Sequence, residues 1–181
     1  MLRNGTEQDG QAVLDNFILT HGQTDYLLTR PEECSFTLEQ EKEYLKRKAE
    51  SGREVEIVAE VDGVIAGTAG VDSAGRAEKV QHRASFGISV DQAWWGLGIG
   101  RALTEACIKC AQAAEYSQLE LEVVAGNGRA LRLYRKMGFL EYGRNPRGFR
   151  SRENGWQEIV LMRLELDRPG KAFPERAAVR I

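Results

Sequence analysis

The stretch Ser89–Ala111, SVDQAWWGLGIGRALTEACIKCA, decides the reading of this chain. Glycines stand at every second position, Gly96, Gly98 and Gly100, after a strand-like run and before a long run of helix formers. A helix start leaves its first backbone N–H groups unpaired and carries a partial positive charge. Glycines just before it remove the side chains that would block close approach. Strand, glycine loop and helix together make an anion site suited to phosphate or pyrophosphate. Arg101 adds a positive charge in the first turn, against the helix dipole. The dinucleotide fingerprint G-x-G-x-x-G does not fit the spacing G-x-G-x-G, and the ATP-type loop would need Gly-Lys-Ser/Thr where Gly100 is followed by Arg101-Ala102. From the residues alone two readings stay open, a phosphate cradle and a loop packed tightly on a sheet.

Outward from this stretch, the pattern alternates strands and helices. Thr6 with Asp9 marks a helix start, and Ala12, Val13 and Phe17 share a helical face that fades near His21-Gly22. Thr37 and Gln40 form a capping-box pattern that opens a second helix, ended by Gly52. EVEIVAEV and VIAGTAGV read as a hairpin joined by Asp62-Gly63. HRASFGISV is a third long strand, followed by a helix from about Gly98 to Glu115. LELEVV is a strand, GNGRALRLYRKM a short helix closed by Gly138, and FLEYGRN and WQEIVLMRLEL are the last strands, separated by a Gly/Arg/Asn-rich loop. The order is β-α-α-β-β-β-α-β-α-β-β, an α/β (α+β) chain with about seven strands and four helices. Residues 1–166 read as one domain and 167–181 as an irregular tail.

Composition narrows the class. With 181 residues, 42% hydrophobic and 29% charged, the chain reads as an ordinary globular domain. A net charge of −2 gives no basic excess for nucleic acid. No apolar run approaches the roughly 20 residues of a membrane span, and the N-terminus has no apolar signal core. The expectation is a cytoplasmic protein. Three cysteines, Cys34, Cys107 and Cys110, make no disulfide framework, and the CIKC pair falls inside a helix rather than at its start. No metal is expected.

WWGLGIGRAL resembles the coenzyme A-binding motif of the GNAT acyltransferase superfamily, Q/R-x-x-G-x-G/A, with Gly98 and Gly100 at its two small positions and Trp95 where Gln or Arg is usual. FGISV resembles the strand before that loop, and LELEVVAGNGRALRLYRKMGF the following strand, helix and strand start. The resemblance covers residues 1 to about 166. It implies the GNAT fold, a mixed, mostly antiparallel sheet, with acetyl-CoA as co-substrate. It further implies N-acetyl transfer to an amine, more naturally a small molecule than a protein. Coenzyme contacts map to Ile88, Ser89 and Val90 through backbone groups, to Trp95, Gly96, Leu97, Gly98, Ile99, Gly100 and Arg101 in the loop, and to Asn127 and Tyr134.

Transfer from a thioester to an amine needs a route for the amine's proton, donors for the oxyanion and a donor for the leaving thiolate. Tyr134 is the candidate for the thiolate, since a phenol's pKa near 10 is close to that of a thiol. A packing role beside Leu131 and Leu133 is the alternative. Several GNAT enzymes carry a Glu where this chain has Ala84 and Ser85. Glu122, acting through water, is the candidate base, with Glu60 as a second choice and solvated strand positions as the plain reading of both. His82 and His21 have surface readings, His21 as an imidazolium at a helix end. Acidic residues Asp25, Glu32, Glu33, Glu39, Glu41 and Glu43 suggest a wall for a cationic acceptor. Arg144, Arg147, Arg150 and Arg152 suggest a wall for an anionic one. A non-catalytic acyl-CoA-binding module is the competing function, and a homodimer is compatible with either. A nucleotide-binding oxidoreductase is disfavoured by the glycine spacing.

Overall fold

The computed structural model describes residues 1–166; the expected irregular tail, 167–181, lies outside the described residues. The elements are β1 (Leu2–Asn4), α1 (Gly10–Gln23), α2 (Leu38–Glu50), β2 (Val55–Val61), β3 (Val64–Ser73), β4 (Arg83–Val90), α3 (Ile99–Ala113), β5 (Gln118–Val124), α4 (Gly128–Lys136), β6 (Leu140–Ser151) and β7 (Gly155–Glu165). The strands form one sheet in the order β1-β2-β3-β4-β5-β7-β6. Every neighbouring pair is antiparallel except β4 and β5.

Local chemistry explains most boundaries. Asp62 and Gly63 both have positive φ, 51° and 80°, as the tight β2–β3 turn demands. Thr37 Oγ1 accepts from the Gln40 amide at 3.2 Å while Gln40 Oε1 accepts from the Thr37 amide at 2.8 Å, so the capping box starts α2. At the first helix, Asp9 takes the Thr6 amide and hydroxyl, but this closes a 3-10 turn over Glu7–Asp9 and the α-helix follows from Gly10.

Alternation divides the sheet's two faces. One face buries Ile57, Ala69, Val71, Ala84, Phe86, Leu121 and Val123 against α3 and α4. Leu103, Cys107 and Ala111, four apart, form the α3 stripe and are fully buried. Val58 and Ile65 pack with Val13 of α1 and Leu45 of α2 on the other face. Lys48 of α2 is buried there too, bonded to Glu56 at 3.1 Å, Asp72 at 2.9 Å and Val55 O at 3.2 Å. Burial works against this ammonium, but Glu56, Tyr44 and Asp72 outweigh it and hold its pKa above the usual range. Gly70 leaves the space: a Cβ there would come within 2.6 Å of Glu56 Oε2.

The expected Gly/Arg/Asn-rich loop before the last strand is a strand. β6 continues through it to Ser151, pairing Phe149, Arg150 and Ser151 with Gln157, Trp156 and Gly155. Pro146 sits in a register shift on this edge strand, where its missing N–H is tolerated. Gly148 lets the strands approach, since a Cβ there would lie 2.4 Å from Ile159 Cγ1.

Candidate active site

The two parallel strands pair only at Arg83–Gln118, Ala84–Leu119 and Ser85–Glu120. Beyond that point β4 and β5 splay, opening a cleft of about 960 Å³. Backbone direction along β4 follows from its other edge. The Asp91 amide donates to Ala66 O at 2.9 Å and the Ala74 amide to Arg83 O at 3.0 Å. In an antiparallel pair such bonds recur at alternate residues, so odd-numbered positions of β4 bond β3 and even-numbered ones turn their N–H and C=O to the gap. Ile88 and Val90 therefore offer backbone groups to the cleft. Ser89, expected to do the same, spends its backbone on β3 although the residue lines the cleft.

The glycine loop forms the floor at one end. Gly96 and Gly98 have φ of 86° and 88°, and a Cβ on either would meet nothing within 4 Å. Gly98 caps α3, its carbonyl accepting from the Ala102 amide at 3.0 Å, which leaves the amides of Ile99, Gly100 and Arg101 without intrahelical partners. Arg101 is held by Glu105 at 2.9 Å, one turn along. Leu97 points outward, 67% exposed, and does not line the cleft. Trp95 does: its Nε1 donates to Val90 O at 2.7 Å, and the Arg129 guanidinium lies 5.0 Å above its ring. Trp95 thus occupies one of the carbonyls that β4 turns toward the gap. The open shape, the orphan amides and the absence of any Cβ above two glycines fit an elongated pyrophosphate-bearing ligand.

Tyr134 stands in the cleft wall, its ring edge-on to Phe86 at 6.1 Å and tilted against Phe139 at 5.8 Å. Among the described residues no partner reaches its hydroxyl, yet it is not one of the enclosed unpartnered atoms, which are Asn16 Oδ1 and Tyr116 OH. The hydroxyl therefore faces the opening. Burial pushes the phenol's pKa up, so it stays protonated. Asn127 is the N-cap of α4, its Oδ1 accepting from the Ala130 amide at 3.1 Å, which leaves its NH2 for the cleft. Glu122 is exposed on the cleft's β5 wall, without an ion-pair partner among the described residues. One pleat back, Glu120 is engaged by Arg83 through two bonds of 2.6 and 2.7 Å.

Other candidates fall elsewhere. Glu60 bonds Arg3 at the far edge of the sheet. His82 precedes β4 at the end away from the splay. His21 lies inside α1, which runs on to Gln23, and stacks on Phe17 at 3.7 Å. Burial lowers its pKa, so the expected imidazolium gives way to a neutral ring. Burial raises the thiol pKa values of Cys107 and Cys110, which disfavours the thiolate and agrees with a packing role inside α3. The two charged walls touch at one ion pair, Arg152 to Glu32 at 2.7 Å, and beside it Asn154 donates to Asp25 at 2.9 Å.

Sequence reasoning read the segment after α1 by its acidic residues alone and missed its apolar ones. Tyr26, Leu27 and Leu28 line the cleft opposite β5, joined by Tyr142 from β6. Gln23 anchors this segment, donating to Asp91 Oδ1 at 2.8 Å and accepting from the Gln92 amide at 2.9 Å. An aperiodic segment of aromatic and aliphatic residues, QTDYLL, was the available signal.

Three comparisons bear on this arrangement. The family model described as Acetyltransferase (GNAT) family matches residues 22–139. L-amino acid N-acetyltransferase AaaT of Escherichia coli (strain K12) is 34% identical over 85 residues, 46% of this chain and 52% of that protein, so the chain spans about half the length of the curated relative it matches. The acetyltransferase of GNAT family from Streptococcus pneumoniae superposes with a TM-score of 0.87 at 25% identity, covering 91% of this chain and 98% of that one. YncA of Salmonella typhimurium, solved with its cofactor acetyl-CoA, gives a TM-score of 0.82 at 18% identity over 98% of both chains, a likeness of fold.

Proposed function

The chain belongs to the GNAT acetyltransferase family, and on that premise we propose that it transfers an acetyl group from acetyl-CoA to a primary amine, both bound at once. The acceptor is a small molecule and the setting cytoplasmic, and residues 1–166 act as one catalytic domain. The observation that carries the reading is the splay of β4 from β5, with the backbone groups of Ile88 and the amide of Val90 turned to the gap and leading to a glycine-capped helix start.

The thioester supplies the acyl group; the chain supplies position and protons. Ile88 and Val90 hold an extended, amide-bearing arm as an added strand would be held. The amides of Ile99, Gly100 and Arg101 receive the pyrophosphate over Gly96 and Gly98. Asn127 Nδ2 is free to donate to the same arm. The Tyr134 hydroxyl, protonated and unpartnered, donates to the departing sulfur. Glu122 accepts the amine's proton through water. An opening Tyr134 hydroxyl favours turnover over an acyl-CoA-binding module without catalysis, which has no use for an uncommitted donor at that point.

Calorimetry with acetyl-CoA, followed by thiol release with a panel of primary amines, tests the proposal. Binding together with amine-dependent release is expected. Absence of acetyl-CoA binding by the folded protein would overturn it, and binding without release from any amine would leave the sensing module as the better account.

A further inference from the structure

Resting on the acyl-transfer reading, we infer that the acceptor is a primary amine on an apolar body of aromatic size, with no carboxylate beside the amine. The cleft has two ends of different chemistry. Arg101, Arg129 and Arg132 line it from α3 and α4, on the side of the glycine loop. The other end lies on the α1–α2 side of the sheet, between β5 and the segment after α1.

That second end is apolar and open. Tyr26, Leu28 and Tyr142 line it while 41%, 53% and 47% exposed. Apolar side chains that are this exposed inside a cleft leave surface for a ligand to cover. Their placement is built, not incidental. Gln23 fixes the start of the segment to Asp91 and Gln92, and Asn154 holds Asp25. Tyr26 reaches across the cleft, its Cε1 3.9 Å from where a Cβ on Gly126 would stand.

Charge at this end is negative. Glu122 has no ion-pair partner among the described residues, and Glu120 is already committed to Arg83. Arg163, its guanidinium 5.6 Å over the Tyr142 ring, is likewise committed, to Glu165 at 2.7 Å. The hairpin arginines do not supply a cation: Arg152 pairs with Glu32, Arg144 with Glu141 and Glu158, and Arg147 and Arg150 lie over Trp156. An ammonium approaching the cleft is attracted by Glu122. A carboxylate on the next carbon would meet that same Glu122, while the guanidiniums near Tyr142, Arg83 and Arg163, are already paired with Glu120 and Glu165, so α-amino acids are selected against by charge.

The test compares probes that differ in one feature, at saturating acetyl-CoA: phenethylamine, L-phenylalanine, L-phenylalaninamide and ethylamine. Phenethylamine is expected to exceed both L-phenylalanine and ethylamine in kcat/KM by at least about tenfold. L-phenylalaninamide, which keeps the substituted carbon and loses the charge, is expected to recover most of the loss. Leu28→Ser, at an exposed loop position, is expected to raise KM for phenethylamine several-fold and leave that for ethylamine unchanged. Calorimetry with acetyl-CoA runs alongside. If acetyl-CoA does not bind, the acyl-transfer reading fails and takes this inference with it. If it binds and L-phenylalanine matches or exceeds phenethylamine, or ethylamine does, the inference alone is overturned; if it binds and no probe turns over, the inference is overturned and the sensing module gains with it. An unchanged phenethylamine KM in Leu28→Ser overturns it as well.

Discussion

Tyr134→Phe separates packing from chemistry because the structure gives the ring and the hydroxyl different neighbours. The ring is enclosed by Phe86 and Phe139, and phenylalanine keeps those contacts. The hydroxyl has no partner among the described residues, so its removal breaks no hydrogen bond among them. The change in folding stability is therefore expected to stay within about 0.5 kcal/mol, the range of substitutions that disturb no named interaction. Turnover is another matter. Loss of a positioned proton donor costs about 10² to 10⁴-fold at most, and on the order of 10–100-fold where water stands in part. The structure adds a pH signature. Burial pushes the phenol's pKa upward, so it is neutral from pH 6 to 10. The ratio of wild-type to variant kcat should then be flat across that range, and KM for acetyl-CoA should move little, since the bond is made mainly at the transition state. Steady-state rates with an active amine at saturating acetyl-CoA measure both. A folded variant with wild-type kcat throughout refutes the assignment. A ratio that collapses between pH 8 and 10 refutes the reasoning from burial.

The two loop glycines should respond in opposite directions. Gly98→Ala is expected to destabilise by about 1–2 kcal/mol, since φ of 88° is strained for a residue with a Cβ although nothing stands in its way. Gly100→Ala is expected to stabilise by about 0.4–1 kcal/mol, because its Cβ would meet only Leu133 and Val90 at 3.9 and 4.0 Å. Urea denaturation checks both, and equal signs would contradict the geometry. Burial lifts the Glu41 carboxyl from 4.5 to about 7, with Glu56 adding to the shift and Lys48 opposing it. The folded chain thus keeps a proton that the unfolded chain releases, so this group's contribution is complete below pH 4.5 and is lost as pH rises to about 7. Glu41→Gln should match wild type near pH 4.5 and exceed it by about 2–3 kcal/mol at pH 8; a difference independent of pH would be evidence against it. Lys48→Met leaves Glu56 buried without its cation, and chemical denaturation should show a loss of about 3–5 kcal/mol.

The elements most legible in the sequence were those fixed by local chemistry. Thr37 with Gln40, Asp62-Gly63 and the three loop glycines each state their own geometry within a few residues. The resemblance to GNAT proteins rested on such local stretches, and the mixed, mostly antiparallel sheet followed from it. Pairing that depends on distant residues was harder to see. β6 carries Gly143, Pro146 and Gly148, all of which argue against a strand locally, yet β7 pairs with it and a register shift absorbs the proline. Ser89 and Leu97 lay within the motif, but which way a backbone or side chain points depends on the parity of pairing with β3 and on the loop's path. The apolar end of the cleft was least legible. Tyr26, Leu28 and Tyr142 come from segments more than 110 residues apart in sequence, and only the fold brings them together.

The three-pair junction between β4 and β5 also bears on how the chain assembles. Strands β1–β4 with α1–α3 occupy residues 2–113, and β5–β7 with α4 occupy 118–165. The first unit is contiguous and is synthesised ahead of the second. The second then docks along a short ladder, secured by the side chains that α3 and α4 share beneath it. Amides of Ile88 and Val90, left outside that ladder, should exchange with solvent early in the unliganded protein, well before those of Ala84 or Leu119. A molecule lying in the gap with its own amides would be the last strand to arrive, joining two halves that the chain itself only tacks together.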